Sequence, residues 1–190
     1  MARFAASISR EDLVNLPIRR YEGDIRMVES AEDVDAALHD LREERIVGLD
    51  TETRPSFRKG ESHLPCLVQA ATARAVYLFR PRAETFGALT ELLESPGIVK
   101  AGVGIGQDLR ALALVFPFEA SNVVELGAIA RRQGIEQSGV RNLAGLLLGF
   151  RIPKGNRTSN WAARRLTPAQ ITYAATDAWA CRELYLRLVP

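Results

Sequence analysis

Two carboxylates follow a short apolar run near residue 50. Residues 46–49, Ile-Val-Gly-Leu, suit a central strand covered on both faces, and Asp50 and Glu52 stand at its end. Because side chains alternate along a strand, these two carboxylates point the same way. Neighbouring anions repel each other unless a cation lies between them, so the pattern predicts an oxygen-ligated site for a hard divalent metal. The alternative is a strand that ends in a polar loop with two solvated acids.

A third acid, Asp108, follows a glycine-rich segment at residues 102–106. The Gly-x-Gly-x-Gly spacing there differs from the Gly-x-Gly-x-x-Gly of dinucleotide-binding turns. Such a turn also requires an acid at the end of a second parallel strand about 20 residues later, whereas Glu125 falls inside a predicted helix. We therefore interpret the glycines as tight backbone packing that brings Asp108 to a helix start. Because the helix dipole also favours an aspartate there, a purely structural Asp108 is the alternative.

The last helix has a well-specified beginning. Thr167 is a typical N-cap, Pro168 suits the first helical position and Gln170 completes a capping box, so a helix is predicted over residues 168–188. Tyr173 and Asp177 lie four residues apart and share a face of this helix. Spacing alone does not distinguish a functional pair from a half-buried tyrosine beside a solvated aspartate.

Strand-like and helix-like segments alternate along the rest of the chain. Two strand-like runs separated by three residues predict an antiparallel hairpin. The order as a whole predicts an α/β fold in which helices flank a mixed β-sheet. Strands are predicted at residues 25–28, 46–49, 66–71, 75–79 and 98–101, and helices from residue 30 and over residues 84–93, 108–116, 123–132, 140–148 and 168–188.

Length and composition are those of one ordinary globular domain. The chain has 190 residues, of which 47% are apolar and 25% charged, with a net charge of +2. Residues 1–20 are predicted to be a flexible leader and residues 21–190 the domain. Two isolated cysteines, Cys66 and Cys181, indicate a reducing compartment, so we expect a cytoplasmic protein. No apolar run approaches the roughly 20 residues of a membrane helix, which predicts a soluble protein.

Basic residues are concentrated between residues 131 and 170. That segment holds eight arginines or lysines and one glutamate, and it could follow a phosphate backbone. The alternative is a solvated helix face and loop. Within it, the polar and basic stretch 151–160, called the basic loop below, is predicted to contact substrate, and Trp161 is predicted to anchor that loop in the core.

Three segments together resemble the exonuclease motifs of the DEDD superfamily, in its tyrosine-bearing (DEDDy) branch. These are Leu-Asp-Thr-Glu at residues 49–52, Lys-Ala-Gly-Val-Gly-Ile at residues 100–105 leading into Asp108, and Tyr-Ala-Ala-Thr-Asp-Ala at residues 173–178. Residues 54–57 and 158–161 are similar to the Werner-syndrome-type exonuclease domain and its stand-alone bacterial relatives in the ribonuclease D group. The resemblance covers roughly residues 20–190.

This resemblance implies a ribonuclease-H-like fold and a 3′–5′ exonuclease that releases nucleoside 5′-monophosphates from DNA or RNA. It implies two Mg²⁺ or Mn²⁺ ions per site, which suit an all-carboxylate set better than zinc does. Asp50 would bridge the ions, Glu52 and Asp177 would complete the first site and Asp108 would hold the second. Tyr173 would hydrogen-bond the attacking water.

The implied partner is single-stranded or 3′-recessed nucleic acid. Thr53 and Phe57 are predicted to contact the terminal nucleotide, and Lys154 and Arg157 to contact the nucleic acid from the basic loop. The alternative function is a catalytically inactive nucleic-acid-binding module of the same fold. All four carboxylates and Tyr173 are present, which argues against that alternative.

Overall fold

A computed structural model describes residues 4–58, 60–155 and 158–189. Within them, six strands form one mixed sheet in the order β1-β4-β3-β2-β5-β6. The central strand β2 pairs with β3 in the antiparallel and with β5 in the parallel sense. The strands are β1 (Asp24–Val28), β2 (Ile46–Thr53), β3 (Pro65–Ala71), β4 (Ala75–Phe79), β5 (Val99–Gly102) and β6 (Val123–Glu125).

Helices cover both faces of the sheet, which confirms the predicted α/β fold. Helices α2, α3 and α4 pack on one face, whereas α5, α6 and α7 pack on the other. None of the helices in the described part of the chain has the length and apolar character needed to cross a membrane. The helices are α1 (Arg10–Asn15), α2 (Ala31–Arg42), α3 (Ala83–Glu94), α4 (Ile105–Leu112), α5 (Leu126–Arg132), α6 (Val140–Leu143), continued by a π-helical stretch (Ala144–Leu148), and α7 (Pro168–Leu188).

Helix α7 has the predicted bounds because its start is fixed by local hydrogen bonds. The Thr167 N–H donates to Gln170 Oε1 at 2.9 Å, and the Gln170 N–H donates to Thr167 Oγ1 at 3.2 Å. These are the reciprocal bonds of a capping box, and Pro168 needs no donor partner at the first helical position. This start determines on which face of α7 each later residue lies.

The backbones of α7 and β2 touch at Gly48. A Cβ atom on Gly48 would overlap the carbonyl oxygen of Ala178 and lie 2.6 Å from the amide nitrogen of Arg182. Only glycine therefore allows this approach. Asp50 comes two residues after this contact on β2, and Asp177 comes one residue before it on α7, so the contact brings these two acids together.

Two predicted helices begin at different places from those expected. The predicted helix over residues 108–116 begins at Ile105, because Gly104 adopts a left-handed φ of 76° that turns the chain three residues earlier. The predicted helix over residues 123–132 was wrong in its first three residues, which form β6. There, Val123 and Val124 are β-branched and pair with the edge of β5, and their Cβ branching favours the extended backbone.

The predicted leader is described from residue 4 onward. The described part of that leader, residues 4–20, contains α1 and lies against the domain. The Arg151 N–H donates to the carbonyl oxygen of Pro17 at 2.9 Å, and the Arg19 N–H donates to that of Arg151 at 3.1 Å. Phe4 packs against the core around α5 and α7. Apolar side chains in this segment thus find a packing surface that sequence composition does not reveal.

Candidate active site

Three carboxylates meet at the end of β2. Asp50, Glu52 and Asp177 each offer an oxygen, and these oxygens all lie within 4.8 Å of one another. Asp50 and Glu52 share a face of β2, as strand alternation predicts, and α7 supplies Asp177 from above that face. The structure thus joins two of the segments singled out in the sequence into one cluster.

The cluster suits a divalent cation held by oxygen ligands. Asp177 is buried, and its Oδ1 atom has no hydrogen-bond partner within the described residues. Leaving a buried acceptor unpaired costs free energy, and a bound cation would remove that cost. The donor set contains only carboxylate oxygens, which suit a hard divalent cation.

The pKa values of Asp50 and Asp177 are both raised, which also indicates that a cation would stabilise the cluster. Burial raises the pKa of Asp50 well above its usual range, and the charges of Asp177 and Asp108 raise that pKa further. Burial also raises the pKa of Asp177, although the Tyr173 hydroxyl and the Arg141 guanidinium partly oppose this. Without a cation, the carboxylates therefore resist being ionised together.

Asp108 lies in the first turn of α4 and faces the same groove, although it is not part of the three-carboxylate cluster. Burial and the charge of Glu125 raise the pKa of Asp108 to about 6, against some lowering by the Thr51 hydroxyl. A close contact positions this turn, since a Cβ atom on Gly102 would lie 2.6 Å from the carbonyl oxygen of Leu49. The end of β5 thus reaches β2 beside the cluster.

Glu125 supports the turn that carries Asp108, a role that the sequence did not indicate. Its Oε1 atom accepts hydrogen bonds from the N–H groups of Gly104, at 2.9 Å, and Gly127, at 3.1 Å. It thereby joins the start of α4 to the start of α5. Because we predicted residue 125 inside a helix, the signal was hidden by the wrong element assignment.

Tyr173 stands one helical turn before Asp177 on α7. Burial, with the charges of Asp177 and Glu52, raises the pKa of its hydroxyl, so Tyr173 is protonated at neutral pH. Its ring lies 6.0 Å from that of Trp161, measured between centroids. Trp161 is fully buried, which confirms its predicted place in the core. A Cβ atom on Gly155 would come within 3.1 Å of the Tyr173 ring, so the basic loop passes directly over it.

These residues line one groove of about 1500 Å³. Asp50, Glu52, Asp108, Tyr173 and Asp177 all line it, as do two of the predicted nucleic-acid contacts, Thr53 and Lys154. The structure therefore gathers all five predicted catalytic residues at one surface depression.

The remaining predicted contacts have different places. Phe57 is 80% exposed in the loop after β2 and is not among the residues that line the groove, although its neighbours Pro55 and Ser56 are. Arg157 lies outside the described residues.

Arg141 is a residue of the site that sequence reasoning did not single out. It lies in α6 and lines the groove, its positive charge lowers the pKa of Asp177, and its Nε donates to the carbonyl oxygen of Ile152 at 3.1 Å. In the sequence it was one of several arginines in the basic segment. Only the placement of α6 beside α7 distinguishes it from them.

The raised carboxylate pKa values predict how stability depends on pH. Asp108 has a pKa of about 6 in the folded chain against 3.8 for the free side chain, so the folded state binds more protons between these values. The metal-free protein should therefore lose the stability that this group contributes as the pH rises from about 4 to about 6, with little further change above that range. Thermal unfolding in EDTA between pH 4 and pH 7 measures this, and saturating Mn²⁺ should reverse most of the loss.

Asp108→Asn is the control for that measurement, because it removes one of the raised groups. Its melting temperature in EDTA should fall less steeply over the same pH range. If melting temperature depended on pH equally in the parent and the variant, the raised pKa of Asp108 would be contradicted.

Comparison with known proteins agrees with the site. Residues 25–190 match the family model described as 3′–5′ exonuclease. The chain is 32% identical to ribonuclease D of Gluconacetobacter diazotrophicus over 86% of this chain and 42% of that protein. It is 30% identical to a 3′–5′ exonuclease of Arabidopsis thaliana over 94% of this chain and 68% of that protein.

A similar fold occurs in the crystal structure of the Aedes aegypti Nibbler EXO domain. That structure superposes with a TM-score of 0.78 at 24% identity, covering 90% of each chain. The present chain spans less than half the length of the ribonuclease D it matches. The family match, in contrast, covers the sheet, α7 and every residue of the carboxylate site. The chain therefore belongs to the 3′–5′ exonuclease family.

Proposed function

We propose that this protein is a metal-dependent exonuclease that hydrolyses the last phosphodiester bond at the 3′ end of DNA or RNA and releases nucleoside 5′-monophosphates. The observation that carries the proposal is the clustering of three carboxylates, with Asp108 and Tyr173, in one open groove. A groove suits a polymer end, whereas a closed pocket would suit a small molecule. The names of the matched relatives support the same activity.

Two Mg²⁺ or Mn²⁺ ions would be held by the carboxylates. Asp50, on which the charges of both Asp177 and Asp108 act, would contact both ions, Glu52 and Asp177 would complete one site, and Asp108 would serve the second. When bound, such ions activate water as a nucleophile and stabilise the leaving oxygen of an in-line displacement. The orphaned Oδ1 atom of Asp177 supports this ligand assignment.

Side chains of the chain itself would orient the reaction. Tyr173 is protonated at neutral pH, so its hydroxyl can donate a hydrogen bond to, or accept one from, the attacking water. The charge of Glu52 raises the pKa of the Tyr173 hydroxyl, which makes Glu52 a neighbour of that group. Glu52 would therefore help to orient the same water. Lys154 and Thr53 line the groove and would contact the backbone of the terminal nucleotides. We propose single-stranded or 3′-recessed nucleic acid as the substrate.

Digestion of end-labelled oligonucleotides tests the proposal. Matched DNA and RNA oligonucleotides, labelled at either end, are incubated with Mg²⁺ or Mn²⁺. We expect 5′-labelled products that shorten one nucleotide at a time, and a labelled mononucleotide released at once from 3′-labelled substrate. EDTA should stop both.

Three outcomes have different meanings. Stepwise shortening of one polymer only would identify the sugar that the groove accepts. Shortening from the 5′ end, or internal cutting, would contradict the proposed polarity. Binding without any shortening would favour the inactive nucleic-acid-binding module instead.

A further inference from the structure

Residues 8–14 form part of the groove wall although they precede the family match, which begins at residue 25. Ile8, Arg10, Leu13 and Val14 line the same groove as the carboxylates. Nothing in the sequence of these residues resembles an exonuclease motif. The structure alone places them at the groove.

Hydrogen bonds hold this segment against the domain on both sides of α1. Before α1, the Ile8 N–H donates to Gln137 Oε1 at 3.0 Å. After α1, Arg151 binds the carbonyl oxygen of Pro17 through its N–H and that of Leu16 through its Nε, at 2.9 and 3.2 Å. The segment is thus attached at both ends, and α1 between these attachments has a defined orientation.

Side-chain packing sets which face of α1 meets the groove. A Cβ atom on Gly145 would lie 2.6 Å from Leu13 Cδ1, so Leu13 occupies the space left by the absent side chain of that glycine. Arg10 and Val14 are both exposed, and residues four apart share one face of a helix. This face therefore presents a cation and an apolar side chain to the groove.

Arg10 is available for a ligand. It makes no ion pair with any residue in the described ranges, and its acidic neighbours Glu11 and Asp12 are not among the residues that line the groove. Asp12 instead accepts a hydrogen bond from the Ser9 hydroxyl at 2.7 Å.

Helix α6 connects this wall to the carboxylates. Arg141 of α6 acts on Asp177, while Gln137, just before α6, holds Ile8. Gly139, Val140 and Asn142 of the same segment also line the groove. A nucleic-acid strand that leaves the carboxylates along α6 would reach α1.

We propose that residues 8–14 form a nucleic-acid-binding wall that contacts the strand several nucleotides upstream of the scissile bond. Arg10 contacts a backbone phosphate, and Val14 offers an apolar surface to a sugar or base. This inference rests on the proposed function, because it takes the 3′ end to lie at the carboxylates. It adds a substrate-binding element outside the segment that matches the family.

Substrates of different length distinguish an effect on binding at this wall from an effect on the catalytic centre. Arg10→Ala and Val14→Glu are compared with the parent on a 15-nucleotide oligothymidylate, the matching oligouridylate, and the dinucleotides dTpdT and UpU. We expect several-fold weaker binding and a higher KM on the 15-mers, with unchanged hydrolysis of the dinucleotides. Arg45→Ala is the matched control, since Arg45 is exposed just before β2, lies outside the basic segment and is not among the groove residues.

Salt dependence supplies a second readout. Binding of the 15-mers is measured by fluorescence anisotropy in Ca²⁺ at several salt concentrations. Loss of one phosphate contact should reduce the slope of log K against log salt by about 0.7, whereas Arg45→Ala should leave the slope unchanged. Thermal unfolding confirms that each variant is folded, and both substituted positions are exposed.

Two results would overturn the wall. One is 15-mer binding by the Arg10 and Val14 variants that equals the parent in affinity and in salt slope. The other is an equal loss on dinucleotides and 15-mers, because that would show an effect on the catalytic centre. Since binding is scored separately from cleavage, a parent that binds but does not cleave would contradict the exonuclease activity and still decide the role of Arg10.

Discussion

Replacing Asp50 with asparagine is expected to lower the rate of 3′ nucleotide release by roughly 10³-fold or more, the scale on which removing a preorganised charge stabiliser acts. Asp50 lies within reach of Glu52 and Asp177, and the charges of Asp177 and Asp108 both act on it. The variant keeps the shape of the side chain but loses the negative charge that is proposed to contact both ions. Single-turnover hydrolysis of a labelled oligonucleotide in Mn²⁺ measures the loss.

The same variant should remain folded. Because burial and neighbouring anions oppose the charge of Asp50, neutralising it should leave the melting temperature in EDTA equal to or above that of the parent. The stabilisation by Mn²⁺ should shrink, since a ligand is lost. Asp35→Asn, which removes an exposed acid on α2, is the matched control and should change neither property. Activity of Asp50→Asn comparable to that of the parent would refute the metal assignment.

Tyr173→Phe is expected to slow hydrolysis by roughly 10²-fold, the lower range for loss of a group that handles the reacting proton. The phenylalanine ring keeps the contacts with Trp161 and with the loop at Gly155, so the fold should be unchanged. Removing the hydroxyl takes away a hydrogen-bonding group beside Asp177 and not a carboxylate. Mn²⁺ affinity, read from the metal-induced rise in melting temperature, should therefore be largely kept.

Tyr185→Phe provides the comparison on the same helix. Tyr185 is half-buried more than three turns after Tyr173, packs against the core cluster to which α5 and α7 contribute, and is not among the groove residues. It should retain full activity. If Tyr173→Phe hydrolysed substrate at the parent rate, the hydroxyl would have no part in orienting water, and the role would pass to Glu52 alone.

The parts of the fold that could be predicted are those set by short-range chemistry. Thr167, Pro168 and Gln170 determine the start of α7 through hydrogen bonds among neighbours, so its bounds were predicted correctly. The hairpin of β3 and β4 was also predicted, since two apolar runs separated by three residues pair readily. Asp50 and Glu52 were placed on one side of β2 by alternation alone.

The parts that could not be predicted depend on contacts between distant segments. The φ of 76° at Gly104, which starts α4 before Asp108, is held by the Glu125 carboxylate from another strand. The packing of residues 4–20 depends on Gly145, whose missing side chain has no periodic signature. Of the site, the carboxylate cluster was predicted, whereas Arg141 and the wall at Arg10 required the positions of α6 and α1.

The direct backbone contact at Gly48 has a consequence for how this protein can vary. No side chain stands between β2 and α7 there, so main-chain atoms alone set the spacing between the segments that carry Asp50 and Asp177. Even the single methyl group of alanine at position 48 would force these two main chains apart. The distance between Asp50 and Asp177 therefore depends on a residue that has no side chain and touches neither carboxylate.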